Sequence, residues 1–210
     1  MFSILGITII GIALVFWSLK SEPTYYREAR LKLADPVVRK AAAEEFEQKA
    51  EVLEQTTRKV GDWSEAFTEE EINAYLMEEV FSEGKAKKPV RDPLIAFEEG
   101  VVRLGCYVET DYYTGVISVQ TRPELLNERE IRLEVVDVQA GALSLPASRL
   151  LKEAVDRMQN GDFPLRWDGD SDSNSLILSL PEPRHGARPI QLTELKVTPG
   201  QVTLSGSTGE

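Results

Sequence analysis

Cysteine and histidine are nearly absent: Cys106 and His185 are the only examples in 210 residues. A lone thiol cannot form an intrachain disulfide, and a lone imidazole removes most metal-ligand clusters and nucleophile–base pairs. Positive charge is also scarce, with 24 Lys and Arg against 35 Asp and Glu and a net charge of -11. Nucleic-acid binders need a basic face to release phosphate counterions, so no nucleic-acid partner is expected. No G-x-S-x-G, P-loop, G-x-G-x-x-G or H-E-x-x-H string occurs. A paired-carboxylate site would leave no local trace, but the sequence names no such pair. The expectation is a protein that is not an enzyme, with no catalytic residue, metal or cofactor.

What is present begins with one long apolar run. Residues 2–19, FSILGITIIGIALVFWSL, carry no charge. As a helix they would span about 27 Å, close to the hydrocarbon thickness of a bilayer. Trp17 stands where an interfacial aromatic belongs, and Lys20 is the first flanking charge. No basic leader precedes the run and no Ala-x-Ala site follows it. A retained single-pass anchor over residues 1–20, contacting membrane lipid, is therefore expected rather than a cleaved signal peptide. Lys20, Arg27, Arg30 and Lys32 all follow the span. By the positive-inside rule they would keep the remainder in the cytoplasm, so topology stays open at this point.

Residues 21–61 read as a helical stalk. Asp35 before Pro36 is a helix start, and Val38, Ala42, Phe46, Ala50, Leu53 and Val60 form an apolar stripe on a helix reaching about Arg58. Gly61 can end it. Thr68 and Glu71 form a capping box, with Phe67 and Ile72 in the staple positions, opening a helix whose expected apolar side holds Ile72, Tyr75, Leu76 and Val80. Residues 41–80 hold 12 acidic and 3 basic residues. Such a stretch is first a solvated helical face and second a docking surface for a basic partner. The loop after it carries Lys85, Lys87, Lys88 and Arg91, a surface loop that could also meet anionic headgroups.

From Leu94 the period changes to two. Val102, Leu104, Cys106 and Val108 alternate with Arg103, Gly105, Tyr107 and Glu109; similar runs start at Ile117, Ile131, Leu176, Ile190, Leu195 and Val202. Parity breaks at Val135–Val136 and between Leu192 and Leu195, which suggests bulges or breaks. One helix interrupts the strands after Pro146, with Leu150, Leu151, Ala154, Val155 and Met158 on one side. The expected fold class is α+β: an N-terminal transmembrane helix and helical stalk, then a mostly antiparallel curved sheet with a helix packed on its apolar face. The soluble domain is placed at 62–206 and a flexible tail at 207–210. Cys106 reads as a buried, inert thiol and His185 as a loop residue. The string DGDSDSN from Asp168 offers three alternate aspartates, but Ser173 stands where a calcium loop needs Gly and Ser179 where it needs Glu. A polar hairpin turn is the better reading.

Three segments carry a family resemblance: FTEEEINAYL, VVRLGCYVETDYYTGVISVQTRPE and AGALSLPASRLLKEAV. In order and spacing, residues 63–206 resemble the YpmS-like family of small, membrane-anchored bacterial proteins. The resemblance implies a soluble part outside the cytoplasmic membrane, and the curved sheet with a helix laid on it is similar to tubular lipid-binding folds. It thereby implies an acyl-chain groove, for which the candidate lining residues are Leu104, Ile117, Leu133, Val135, Leu151 and Val155. The same six could equally form a closed core. Two functions follow as expectations. One is a non-enzymatic, single-pass membrane-anchored protein of the cell envelope that binds a lipid or other amphipathic ligand near the membrane surface. The alternative is a scaffolding subunit that docks a membrane-protein partner through its acidic helices.

Overall fold

The structure, a computed structural model, describes residues 21–81, 90–111, 113–147, 151–152, 155, 164–170, 173–180 and 189–209. The apolar run at residues 2–19 lies outside them, as do His185, Lys85, Lys87, Lys88, Leu150, Ala154 and Met158. Among the described residues no helix is long and apolar enough to cross a membrane. The fold is α+β with mostly antiparallel sheets.

Helix α1 (Thr24–Lys32) leads into α2 (Pro36–Thr57), whose start is set by Asp35: its carboxylate accepts from the Val37 N–H at 2.8 Å, and Pro36 takes the first helical position. Strand β1 (Gly61–Thr68) follows, then α3 (Glu69–Tyr75), which widens into one π-helical turn at Leu76–Val80. The capping box is complete, with the Thr68 hydroxyl taking the Glu71 N–H and the Glu71 carboxylate taking the Thr68 N–H. Next come β2 (Val90–Glu98), β3 (Val101–Glu109), β4 (Thr114–Asn127), β5 (Glu130–Ala140) and the short β6 (Leu143–Ser144). Strands β7 (Leu165–Trp167), β8 (Ser175–Ser179), β9 (Ile190–Thr198) and β10 (Gln201–Thr208) complete the order.

The strands form two sheets where the sequence suggests one. The larger runs β2-β3-β4-β5-β8-β7, with β6 beside β5; the smaller runs β1-β10-β9. Their separation rests on β1, which pairs residue for residue with the end of the chain from Gly61↔Thr208 to Thr68↔Gln201. The segment expected to be a tail from residue 207 is therefore strand as far as Thr208. That side chain is 2% exposed and donates to the Thr57 carbonyl. Both parity breaks are bulges. Gln120 and Thr121 face Asp137 and Val135, leaving Val136 over, and Ser205 and Gly206 face Glu194 and Leu192, leaving Thr193 over.

The segment expected to be a stalk is laid on the sheets. Tyr26 on α1 is fully buried with Leu94 and Val116 of the large sheet, and its hydroxyl donates to the Asp92 carbonyl at 2.8 Å. The ring reaches that depth because Gly105 lies beneath it. A Cβ there would sit 2.8 Å from the Tyr26 ring and 2.6 Å from the Tyr25 hydroxyl. The α2 stripe is shorter than its apolar pattern: Val38 and Val60 are exposed, while Ala43 and Thr57 are buried and Phe46 stacks between Phe67 and Tyr75. On α3 the buried side is Glu71, Asn73 and Ala74, not the expected row ending at Val80, which is exposed.

Edge strand β2 receives its hydrogen bonds from side chains of α3. Asn73, 1% exposed, donates to the Ile95 carbonyl at 2.7 Å and accepts the Ile95 N–H at 2.6 Å. One helical turn earlier, the Glu69 carboxylate accepts the Phe97 N–H. Pro93 has no N–H to offer. The β2 edge from Ile95 to Phe97 is thus satisfied without another strand.

Burial pushes the Tyr25 phenol up to about 12 and raises those of Tyr26 and Tyr113 as well; it also pushes the Cys106 thiol up. Each group holds its proton more tightly folded than unfolded. The stabilisation is complete below the unfolded values, about 8.5 for a thiol and about 10 for a phenol, and is lost as pH rises through the folded ones. Tyr25 alone contributes about 2–3 kcal/mol of this. Urea unfolding across pH is expected to show little change from neutrality to pH ~9 and a steep fall above pH ~10. Undiminished stability at pH ~11 would contradict the burial of these rings.

Candidate functional site

The six residues expected to line a groove divide into two groups. Val135, Leu151 and Val155 are 3%, 6% and 0% exposed and belong to one packed cluster with Val138, Leu165 and Leu176; Leu133 packs at its rim. Leu151 and Val155 have helical backbone, and their side chains pack against those of β5, β7 and β8. This part is closed core. Leu104 and Ile117 stand on the same sheet face but further along it. Leu104 pairs with Val119, which pairs with Val138, while Ile117 pairs with Cys106 and Ala140. Ile117 is half-buried and Leu104 is 41% exposed. With Ile95, the β2 partner of Leu104, they form a narrow apolar shelf.

The opposite face of β4, β5 and β8 is polar. Arg132 donates to Asp168 at 2.7 Å and to Glu124 at 3.0 Å, and Arg122 pairs with Glu134 at 3.6 Å. Arg122, Glu124, Arg132 and Glu134, with Gly100, Pro123 and Ser175, border a shallow depression of about 530 Å³. The Asp168 carboxylate also takes the Ser175 hydroxyl, and the Asp168 N–H meets the Ser175 carbonyl at 2.9 Å. Asp168 thus closes the β7–β8 hairpin, the polar turn expected of DGDSDSN; Asp172 lies outside the described residues. Arg91 pairs with Glu109 and lies 5.0 Å from the Tyr107 ring centroid, committed to its own strand pair. Nearer α1, a cavity of about 10 Å³ is lined by Tyr25, Arg103, Ser118, Gln120, Asp137 and Gln139. That is room for about one water. The raised Tyr25 phenol stays protonated there, Arg103 is held by Glu98 at 2.9 Å, and the Asp137 carboxylate accepts from Gln139 at 2.6 Å. Among the described residues no group of three or more His, Cys, Asp and Glu could hold a metal ion.

The acidic stretch separates into members that bond other elements and members on the surface of α2. Glu71 is buried, 4% exposed, and binds Lys49 Nζ at 2.6 Å; this bond raises the Lys49 pKa. Glu69 is spent on the β2 edge and Glu78 on Arg39 at 2.5 Å. Glu44, Glu47, Glu51 and Glu54 are all exposed. Their spacing of three and four places them on one exposed stripe of α2, alongside its packed side. Among the described residues Glu44, Glu51 and Glu54 meet exposed partners on the same helix or at its end, Lys40 at 3.9 Å, Gln55 at 3.1 Å and Arg58 at 2.5 Å. Such pairs give way readily to a stronger partner. Lys49 and Asn73 had no local signal in the sequence, because each acts on a group 22 residues away. No family model matches the chain, and neither a curated protein nor a solved structure matches it.

Proposed function

We propose that the chain is a non-enzymatic, single-pass membrane protein that works as an interaction subunit, holding a basic partner protein on the acidic stripe of α2. The observation that carries this reading is the stripe itself. Glu44, Glu47, Glu51 and Glu54 project from a 22-residue helix whose packed side is fixed to the domain. A surface of that kind raises encounter rates with a cation-rich patch and favours specific over nonspecific partners. The uncharged run at residues 2–19 supports anchoring, and the YpmS-like resemblance supports an extracytoplasmic domain. The cations after the span argue for the cytoplasmic side.

Replacing all four glutamates by Gln leaves stability nearly unchanged, since exposed substitutions of this sort stay within about 0.5 kcal/mol. Full-length protein carrying Glu44→Gln, Glu47→Gln, Glu51→Gln and Glu54→Gln should lose a salt-sensitive partner that the unaltered protein retains after mild crosslinking in membranes. An identical set of partners with both proteins would sink the reading.

A lipid-binding reading is favoured by one feature, the partly uncovered shelf of Leu104, Ile117 and Ile95. It takes precedence if lipid-extraction mass spectrometry of the purified protein finds one lipid per chain that is lost on Leu104→Asp.

A further inference from the structure

We infer that the corner between α1 and α2 is a second membrane contact, with α1 lying along the bilayer surface and the corner inserted among the headgroups. This rests on the anchored reading above. Leu31, Val37 and Val38 are 65%, 78% and 53% exposed, and Ala34 and Pro36 between them are exposed too. Five apolar side chains within eight residues therefore face outward. The corner is rigid, so they cannot fold back. Leu33 is 2% exposed beneath it, Arg39 donates to the Leu33 carbonyl at 3.0 Å while pairing with Glu78, and Asp35 caps α2. Apolar groups held outward on a braced turn suit an apolar surface better than water.

The choice of a bilayer as that surface comes from chain distance and charge. The uncharged run ends at residue 19 and α1 begins at Thr24. Helix α1 is only about 13 Å long, so the corner is never far from where the chain leaves the membrane. Upright, α1 would lift the corner beyond the headgroup layer, which is about 5–7 Å deep on each side. Lying flat, it turns its exposed side, Arg27 and Leu31, toward the lipid, opposite the buried Tyr26 and Ala29. Lys32 and Lys40, with side chains 56% and 73% exposed, flank the apolar group, and each has only a long ion pair with an exposed acid to give up, Glu70 at 3.5 Å and Glu44 at 3.9 Å. Cations around an inserted apolar patch are the arrangement that anionic lipid favours.

The test uses the full chain with Cys106→Ala as background, reconstituted into phosphatidylcholine vesicles with and without phosphatidylglycerol. An environment-sensitive fluorophore is attached through Val37→Cys, and in a second protein through Val60→Cys, an exposed valine beyond the far end of α2. Expected is a blue-shifted emission from the first probe. Acyl-chain nitroxide should quench it several-fold more than the second, with the difference larger on phosphatidylglycerol. If both probes are quenched equally by aqueous iodide, and neither by nitroxide lipid, while the protein still floats with vesicles, the corner contact is wrong and the anchor stands. Failure to float would remove both.

Discussion

Tyr26→Ala should lower the unfolding free energy by about 3–5 kcal/mol, the usual loss for a fully buried aromatic. Tyr26 is 0% exposed, sits over Gly105, and ties α1 to the large sheet through the Asp92 carbonyl. Removing the ring empties the space between Leu94, Val116 and Ala74, which share its cluster. Tyr26→Phe separates packing from hydrogen bonding. It should cost about 1 kcal/mol, because only the hydroxyl's bond is lost. Urea midpoints of the two variants, with unchanged slope, are the measurement. Equal small losses would mean that α1 does not belong to the cooperative unit. The expected result also moves the start of the folded domain from residue 62 to before Tyr26, so a fragment starting at β1 would expose Leu94 and Val116.

Glu71→Ala should cost about 2–3 kcal/mol, less than for a fully buried ion pair broken from one side, because the Lys49 side chain is 28% exposed. One carboxylate serves two elements: Oε1 holds Lys49 of α2, and Oε2 takes the Thr68 N–H at the start of α3. Alanine leaves the Lys49 ammonium with the Ala66 carbonyl at 3.3 Å and the exposed Glu45 carboxylate at 3.8 Å. Lys49→Met in the Glu71→Ala background should recover much of the loss, because the stranded charge is then gone as well. Thermal unfolding of the two single variants and the double variant closes the cycle. If the single and double losses simply add, the pair contributes nothing jointly.

Much of this fold was legible wherever the cause is local. Asp35-Pro36 and the Thr68/Glu71 box mark helix starts because a cap acts over two or three residues. The bulges at Val136 and Thr193 were visible as parity changes, since one extra residue turns every later side chain over. Strand β1 was not legible. Its alternation, Trp63, Glu65, Phe67, is broken by an acid in the middle and follows a glycine that reads as a helix end. The second sheet depends on β1 pairing with residues about 140 positions away, and no local pattern records that. The expected groove shows the same limit. Alternation places Leu104, Ile117 and Val135 on one face, but it cannot say that Val135 is covered and Leu104 is not. The acidic stretch likewise gives charge without partners: Glu69 and Glu47 look alike until the Phe97 N–H is found at one of them.

The side chains spent on β2 bear on how many copies can share a small area. Chains tethered to one surface with a common orientation meet edge-on far more often than chains tumbling in solution, and an open strand edge would let them polymerise. Here a neighbour seeking to extend the large sheet from β2 finds Ile95 already bonded on both sides, Phe97 occupied by Glu69, and no donor at Pro93. To pair along Ile95 and Phe97 it would have to displace two helix-borne groups. That toll sets a nucleation barrier at β2, and crowding alone does not remove it.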